Sequence, residues 1–153
     1  MYLFARPQRA TLASMSSSAS ASPPAARSIK VLLVEDSKVL AERLSEAISH
    51  IAGVTLIGTT DTEGAAIAVA IKEDVDVIVL DLHLKHGTGF GVMRALATLQ
   101  RKPTVIVLTN FGLPEYERAS LAFGATLFLD KSRDFARLPT VLIKIREEQL
   151  AAQ

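Results

Sequence analysis

The sequence contains no cysteine and no tryptophan, and only two tyrosines and six phenylalanines among its 153 residues. The first absence excludes disulfides, thiolate metal sites and cysteine nucleophiles. So few aromatic rings leave little with which to stack the bases of single-stranded nucleic acid. No uninterrupted apolar run approaches the roughly 18 residues of a membrane-spanning helix, so no membrane partner is expected. A GxxxxGK[ST] loop is also missing, which removes the usual cradle for a nucleoside triphosphate.

What is present is apolar and nearly charge-balanced: 49% hydrophobic and 22% charged residues, with a formal net charge of +1. That charge is misleading, because residues 1–28 hold three arginines (Arg6, Arg9, Arg27) and no acid. The rest of the chain carries 14 basic and 16 acidic side chains, which argues against nucleic-acid binding through a basic face. Residues 1–28 are rich in Ser, Ala and Pro and show neither helical nor strand period, so a disordered tail is expected. Two origins fit it: an organellar transit peptide, or a tail without chemistry, with Met15 as an alternative start. Residues 29–153 then form one domain, long enough to bury a core.

From Ile29 the pattern alternates between short apolar runs and helix-like segments. The runs are IKVLLV (29–34), VTLIGT (54–59), VDVIVL (75–80), PTVIVLT (103–109) and ATLFL (125–129). Ser37 caps a helix to about Ile51, whose inward face is Leu40, Leu44, Ala47, Ile48 and Ile51. Thr60 to Glu63 has capping-box spacing before a helix to about Glu73. Thr88 caps a helix to about Gln100, Pro114 opens another to about Phe123, and Pro139 starts the last, with Val141 and Ile145 in the core. Near-continuous Val, Ile and Leu in each run is what a strand shows when helices cover both faces. The expectation is an α/β fold: a doubly wound, five-stranded parallel sheet with helices on both faces. In such sheets ligands sit at the carboxyl ends of the strands.

Those ends carry the polar residues. Glu35 and Asp36 follow the first strand, and Thr59, Thr60 and Asp61 close the second. Asp81 ends the third, Thr109 and Asn110 the fourth, and Asp130 and Lys131 the fifth. An ionised carboxylate ending a run as apolar as VDVIVL is costly unless something compensates it. Glu35, Asp36 and Asp81 together repel one another, and an oxygen-only cluster of this kind suits a hard cation such as Mg²⁺. Lys131 adds a fixed positive charge and Thr109 a hydrogen-bond donor, making a place for a phosphoryl group. A carboxylate can itself be the nucleophile that forms an aspartyl phosphate, and Asp81 is the candidate.

At VLLVEDS (31–37), VDVIVLDLHL (75–84), GTGF (87–90), VIVLTNF (105–111) and GATLFLDKS (124–132) the sequence resembles the receiver domain of two-component response regulators. The resemblance runs from residue 29 to about 148 and implies a flavodoxin-like strand order 2-1-3-4-5, as in CheY-like single-domain receivers. It implies that Asp81 accepts phosphoryl from a phosphohistidine on a sensor histidine kinase or histidine phosphotransfer protein. Glu35, Asp36, Asp81 and the backbone carbonyl of His83 would hold Mg²⁺, while Thr109 and Lys131 bind the phosphoryl oxygens. Thr109 and Phe128 would form the switch, resting on packing alone because Phe lacks the hydroxyl of a Tyr.

The sequence also departs from the family. Ser132 follows the lysine where receivers often have Pro in a cis peptide, so a different loop is expected there. Lys85 stands where Pro is frequent, and Asn110 is bulkier than the usual Ala or Ser. His83 and His86 are read as surface residues and Gly87-Thr88-Gly89 as a turn with a helix cap. The chain ends at Gln153, so the expectation is a stand-alone cytoplasmic switch, not an enzyme, with no nucleic-acid contact. It would act on a downstream protein target through the fourth helix, fifth strand and fifth helix, the face that carries Thr109, Phe128 and Lys131. A dimer, if one forms, would use that face. The alternatives are a phosphorylation-independent binding module and an aspartyl-nucleophile phosphohydrolase. The second needs an acid two residues after the nucleophile, where this chain has His83.

Overall fold

Successive side chains of a strand point to opposite faces, so an apolar run contributes alternately to two cores. Five such runs build one parallel sheet: β1 (Ile29–Val34), β2 (Val54–Thr60), β3 (Val77–Leu80), β4 (Thr104–Thr109) and β5 (Leu127–Asp130). Their order is β2-β1-β3-β4-β5, the doubly wound topology expected from the sequence. Four helices connect the strands: α1 (Lys38–Ser49), α2 (Glu63–Lys72), α3 (Gly89–Leu96) and α4 (Pro114–Ala122). After β5 come α5 (Lys131–Asp134), a 3₁₀ turn over Phe135–Arg137 and α6 (Leu138–Ala151). The computed structural model describes residues 27–152; the expectations for the tail fall largely on 1–26, outside the described residues.

On one face, Val31 and Leu33 of β1, Val79 of β3, Ile106 and Leu108 of β4 and Leu129 of β5 pack with α1 and α6. On the other, Leu32 and Val34, Ile78 and Leu80, Val105 and Val107, and Phe128 pack with α2 and α3. Each fully buried Leu or Ile contributes about 1.5–3 kcal/mol relative to exposure. Cutting one back hard, as in Leu129→Ala, costs about 2–5 kcal/mol. Within α1, Leu44 and Ile48 are buried as expected; Leu40 and Ala47 are half-buried, and Ala41 takes the inward position between them.

Several boundaries differ from the sequence reading, each for a local reason. Ser37 does cap α1, its hydroxyl accepting the Leu40 N–H, but the helix stops at Ser49. The cap of α2 is Thr62, which accepts the Ala65 N–H, and not Thr60. Thr60 is claimed by the sheet: it pairs with Val34, and its carbonyl accepts the Glu35 N–H at 2.9 Å. β3 starts two residues later than expected, because the Asp76 carboxylate turns to accept the Lys30 N–H. α3 ends at Leu96 and not near Gln100; there Thr98 donates its hydroxyl to the Ala95 carbonyl, a side-chain bond that competes with helix. Pro139 is the second residue of the last helix, and the short α5 precedes it.

Candidate functional site

Glu35, Asp81 and Lys131 each stand two residues beyond a side chain of the first core face: Leu33, Val79 and Leu129. The same parity carries all three toward one spot above the carboxyl ends of β1, β3 and β5. There the Lys131 ammonium donates to Asp81 Oδ2 at 2.7 Å and pairs with Glu35 Oε2, also at 2.7 Å. All three residues are buried. Asp36, the neighbour of Glu35, is exposed, and one carboxylate oxygen from each of Glu35, Asp36 and Asp81 lies within 4.8 Å of the others.

Hydrogen bonds fix the remaining carboxylate oxygens. Glu35 Oε1 accepts the Ser37 N–H at 3.1 Å, and Asp81 Oδ1 accepts the His83 N–H at 3.3 Å. Gly89 closes the loop after β3: a Cβ there would stand 2.5 Å from the Asp81 carbonyl oxygen, so only glycine fits. Burial pushes the Glu35 carboxyl up from 4.5 to about 7, with Asp81 adding repulsion and the Lys131 bond only partly offsetting them. Lys131 is raised: burial opposes its charge, but the bonds to Asp81 and Glu35 outweigh that and hold the ammonium.

Other expected residues sit differently. Thr109 is fully buried, but its parity follows Val107 of the second face, and its hydroxyl accepts the Phe111 N–H at 3.3 Å. Phe128 is buried in that second core beside Val107, its register partner Val107↔Phe128 on β4. His83 and His86 are exposed, and the His83 ring lies against Phe111, centroids 4.5 Å apart. Asn110 is exposed and lines a groove with Leu40, Arg43, Lys131, Ser132 and Phe135 that opens beside the buried lysine. A larger cavity, about 510 Å³, lies away from the carboxylates between β5 and α6, lined by Leu127, Val141 and Ile145 among others. Ser132 does give a different loop: Asp130 caps α5 directly through the Ser132 N–H, and every peptide bond among the described residues is trans.

The sequence pattern of the response regulator receiver domain matches residues 31–143. The chain belongs to that family. Among relatives of this receiver, the transcriptional regulatory protein MalR of Bacillus subtilis is 27% identical over 121 residues, 79% of this chain and 52% of MalR. The transcriptional regulatory protein CusR of Escherichia coli K12 is 29% identical over 110 residues, 72% of this chain and 48% of CusR. The chain thus spans about half the length of the curated relatives it matches. Among solved structures, the response regulator domain of Thermotoga maritima CheB superposes with a TM-score of 0.69 at 25% identity, covering 79% of this chain and 96% of that one. The receiver domain of a putative response regulator NarL from Mycobacterium tuberculosis gives 0.73 at 21% identity, covering 79% and 98%, a likeness of fold. Because MalR and CusR are named as transcriptional regulators, the expectation of no nucleic-acid partner finds no support in them.

The acidic set fits a divalent cation on its own chemistry. Its donors are all oxygen, which suits Mg²⁺ or another hard ion. Three carboxylates against one ammonium leave a formal charge of −2 when all are ionised. No helix among the described residues is long and apolar enough to cross a membrane.

Proposed function

We propose that this receiver accepts a phosphoryl group on Asp81 from a phosphohistidine of a sensor histidine kinase or histidine phosphotransfer protein. The observation that supports it best is the buried contact of Asp81 with Lys131 and Glu35, set beside the exposed carboxylate of Asp36. An Asp81 oxygen attacks phosphorus, the N–P bond breaks as the O–P bond forms, and the imidazole nitrogen keeps the electron pair and takes up a proton. The donor's histidine enters by the groove of Leu40, Arg43, Asn110 and Phe135, which opens beside Lys131.

Glu35, Asp36, Asp81 and the His83 backbone carbonyl would hold Mg²⁺, which would supply positive charge for the phosphoryl oxygens. Lys131 gives its ammonium to the same oxygens, exchanging a carboxylate partner for a phosphoryl one. Thr109 reaches the phosphoryl group by giving up the Phe111 N–H, and Phe128, packed beside β4, responds to that movement. The receiver in this reading is a cytoplasmic switch and not an enzyme acting on other substrates. Its output is a changed affinity for a downstream protein at the α4–β5–α6 face, through a dimer of that face, or onward relay of the phosphoryl group.

The test is intact mass after incubation with Mg²⁺ and a small acyl phosphate, with Asp81→Asn alongside. A single phosphoryl adduct on the wild type and none on the variant is expected. No adduct on either, or equal adducts on both, would sink the reading.

A further inference from the structure

A buried acid outside the carboxylate cluster has no part in the transfer chemistry. Asp134, the last residue of α5, is only 6% exposed. Its Oδ2 accepts the backbone N–H of Asp130 at 3.0 Å, and its Oδ1 accepts from Arg137 at 3.3 Å. Arg133 pairs with it as well, at 3.5 Å. In the other direction, Asp130 Oδ1 accepts from both the N–H and the hydroxyl of Ser132, at 2.8 and 2.6 Å. The two carboxylates therefore tie residues 130–134 into a closed loop, and the enclosed residue next to Asp130 is Lys131.

Lys131 needs such a frame. It begins a four-residue helix, which has no internal ladder strong enough to hold its place. Its ammonium spans two buried carboxylates at 2.7 Å each, so the position of the backbone at Lys131 bears on both contacts. The clasp also touches the loop after β4: a Cβ on Gly112 would stand 1.8 Å from Asp130 Oδ2, so the loop backbone lies directly on that carboxylate. Burial opposes the charge of Asp134, but the Asp130 N–H, first among its partners, and the two arginines keep its carboxyl below the usual range.

We infer that Asp134 is a positioning residue: through the Asp130 N–H it fixes the start of α5 so that the Lys131 ammonium is delivered between Glu35 and Asp81. The inference rests on the phosphoryl-acceptor reading for its rate effect, and on the geometry alone for the placement of the lysine. A misplacement of the ammonium by about 1 Å is the kind of error that lowers such a rate ten- to a hundredfold.

Rates of phosphoryl incorporation from a small acyl phosphate with Mg²⁺ are compared for wild type, Asp134→Ala and Asp134→Asn, each also in a Lys131→Ala background. Asp134→Ala should slow the wild type at least tenfold. Asp134→Asn, which keeps an oxygen for the Asp130 N–H, should restore most of the rate. In the Lys131→Ala background neither change should matter further, whereas a merely structural role would lower the rate there too. The carbon-13 signal of the Lys131 ε-methylene, assigned by its loss in Lys131→Ala, gives a readout independent of phosphorylation. It should move toward the position of solvated lysines in Asp134→Ala and stay in Asp134→Asn. Should the wild type take no phosphoryl, the acceptor reading falls and the signal alone judges the clasp. An unmoved Lys131 signal, a wild-type rate in Asp134→Ala, or equal slowing in both backgrounds overturns the inference.

Discussion

Removing the charge of Glu35 should abolish a specific loss of stability between pH 4.5 and 8. Glu35 is 3% exposed, and burial raises its carboxyl from 4.5 in the unfolded chain to about 7 in the folded one. For a carboxyl shifted upward, the folded protein holds a proton that the unfolded chain releases. Stability is therefore fully present below pH 4.5, declines as the pH rises toward 7, and levels off above. At about 1.36 kcal/mol per pH unit, the interval between 4.5 and about 7 corresponds to about 3 kcal/mol. Three shifted groups nearby, Lys131, Asp130 and Asp134, lie outside this window. Lys131 is raised, so its contribution is lost only above its ordinary 10.5. Asp130 and Asp134 are lowered, so theirs is lost only below 3.8. Urea unfolding in the presence of a chelator, at pH 4.5, 6 and 8, should show the decline in the wild type. In Glu35→Gln, which mimics the protonated acid, the decline should be smaller by about 3 kcal/mol. Parallel curves for the two proteins would refute the argument, since they would mean that Glu35 is ionised at no cost beside Lys131.

Lys131→Met should destabilise the metal-free protein by about 3–5 kcal/mol at pH 8, because it leaves Glu35 and Asp81 buried without a counter-ion. The loss should shrink at pH 5, where Glu35 takes a proton, and unfolding at the two pH values checks this. Mg²⁺ at ten times its dissociation constant should raise stability by about 1.4 kcal/mol in urea titrations, more at pH 8 than at pH 5, and a chelator should reverse it. Thr60→Val should raise the melting temperature by the equivalent of about 1 kcal/mol, because the Thr60 hydroxyl is shut off from solvent without a hydrogen-bond partner. Thr62→Ala, which removes the true cap of α2, should lower it by a similar amount.

The contrast between Thr60 and Thr62 shows where sequence reading ran out. Both fit a cap four or fewer residues before the helical pattern, and Glu63 even completes a capping box with Thr60. What decides between them is the bond from the Glu35 N–H to the Thr60 carbonyl, made by a strand 25 residues away in sequence. No local pattern carries that information. The strands themselves were legible because a run buried on both faces must be apolar throughout, whatever its neighbours. That they run parallel follows from crossovers that are each one helix long, whereas their order is what the resemblance to receiver domains implies.

The site was legible to the same depth. The polar residues at strand ends could be read off directly, and strand parity adds more than position. Glu35, Asp81 and Lys131 continue the face of Leu33, Val79 and Leu129, whereas Thr109 continues that of Val107. That rule, applied to the bare sequence, separates the three groups in contact from the threonine that is turned to Phe111. Asp134 shows the limit. It lies in the charge-rich run DKSRDFAR, where Arg133 and Arg137 are exposed. Its burial comes from the chain turning back at α5 to meet the Asp130 N–H, a four-residue closure that the composition of the run conceals. A charge-rich connection immediately after a strand that ends in a functional lysine therefore has to be examined for an acid that folds back, because a short helix cannot hold the lysine by itself.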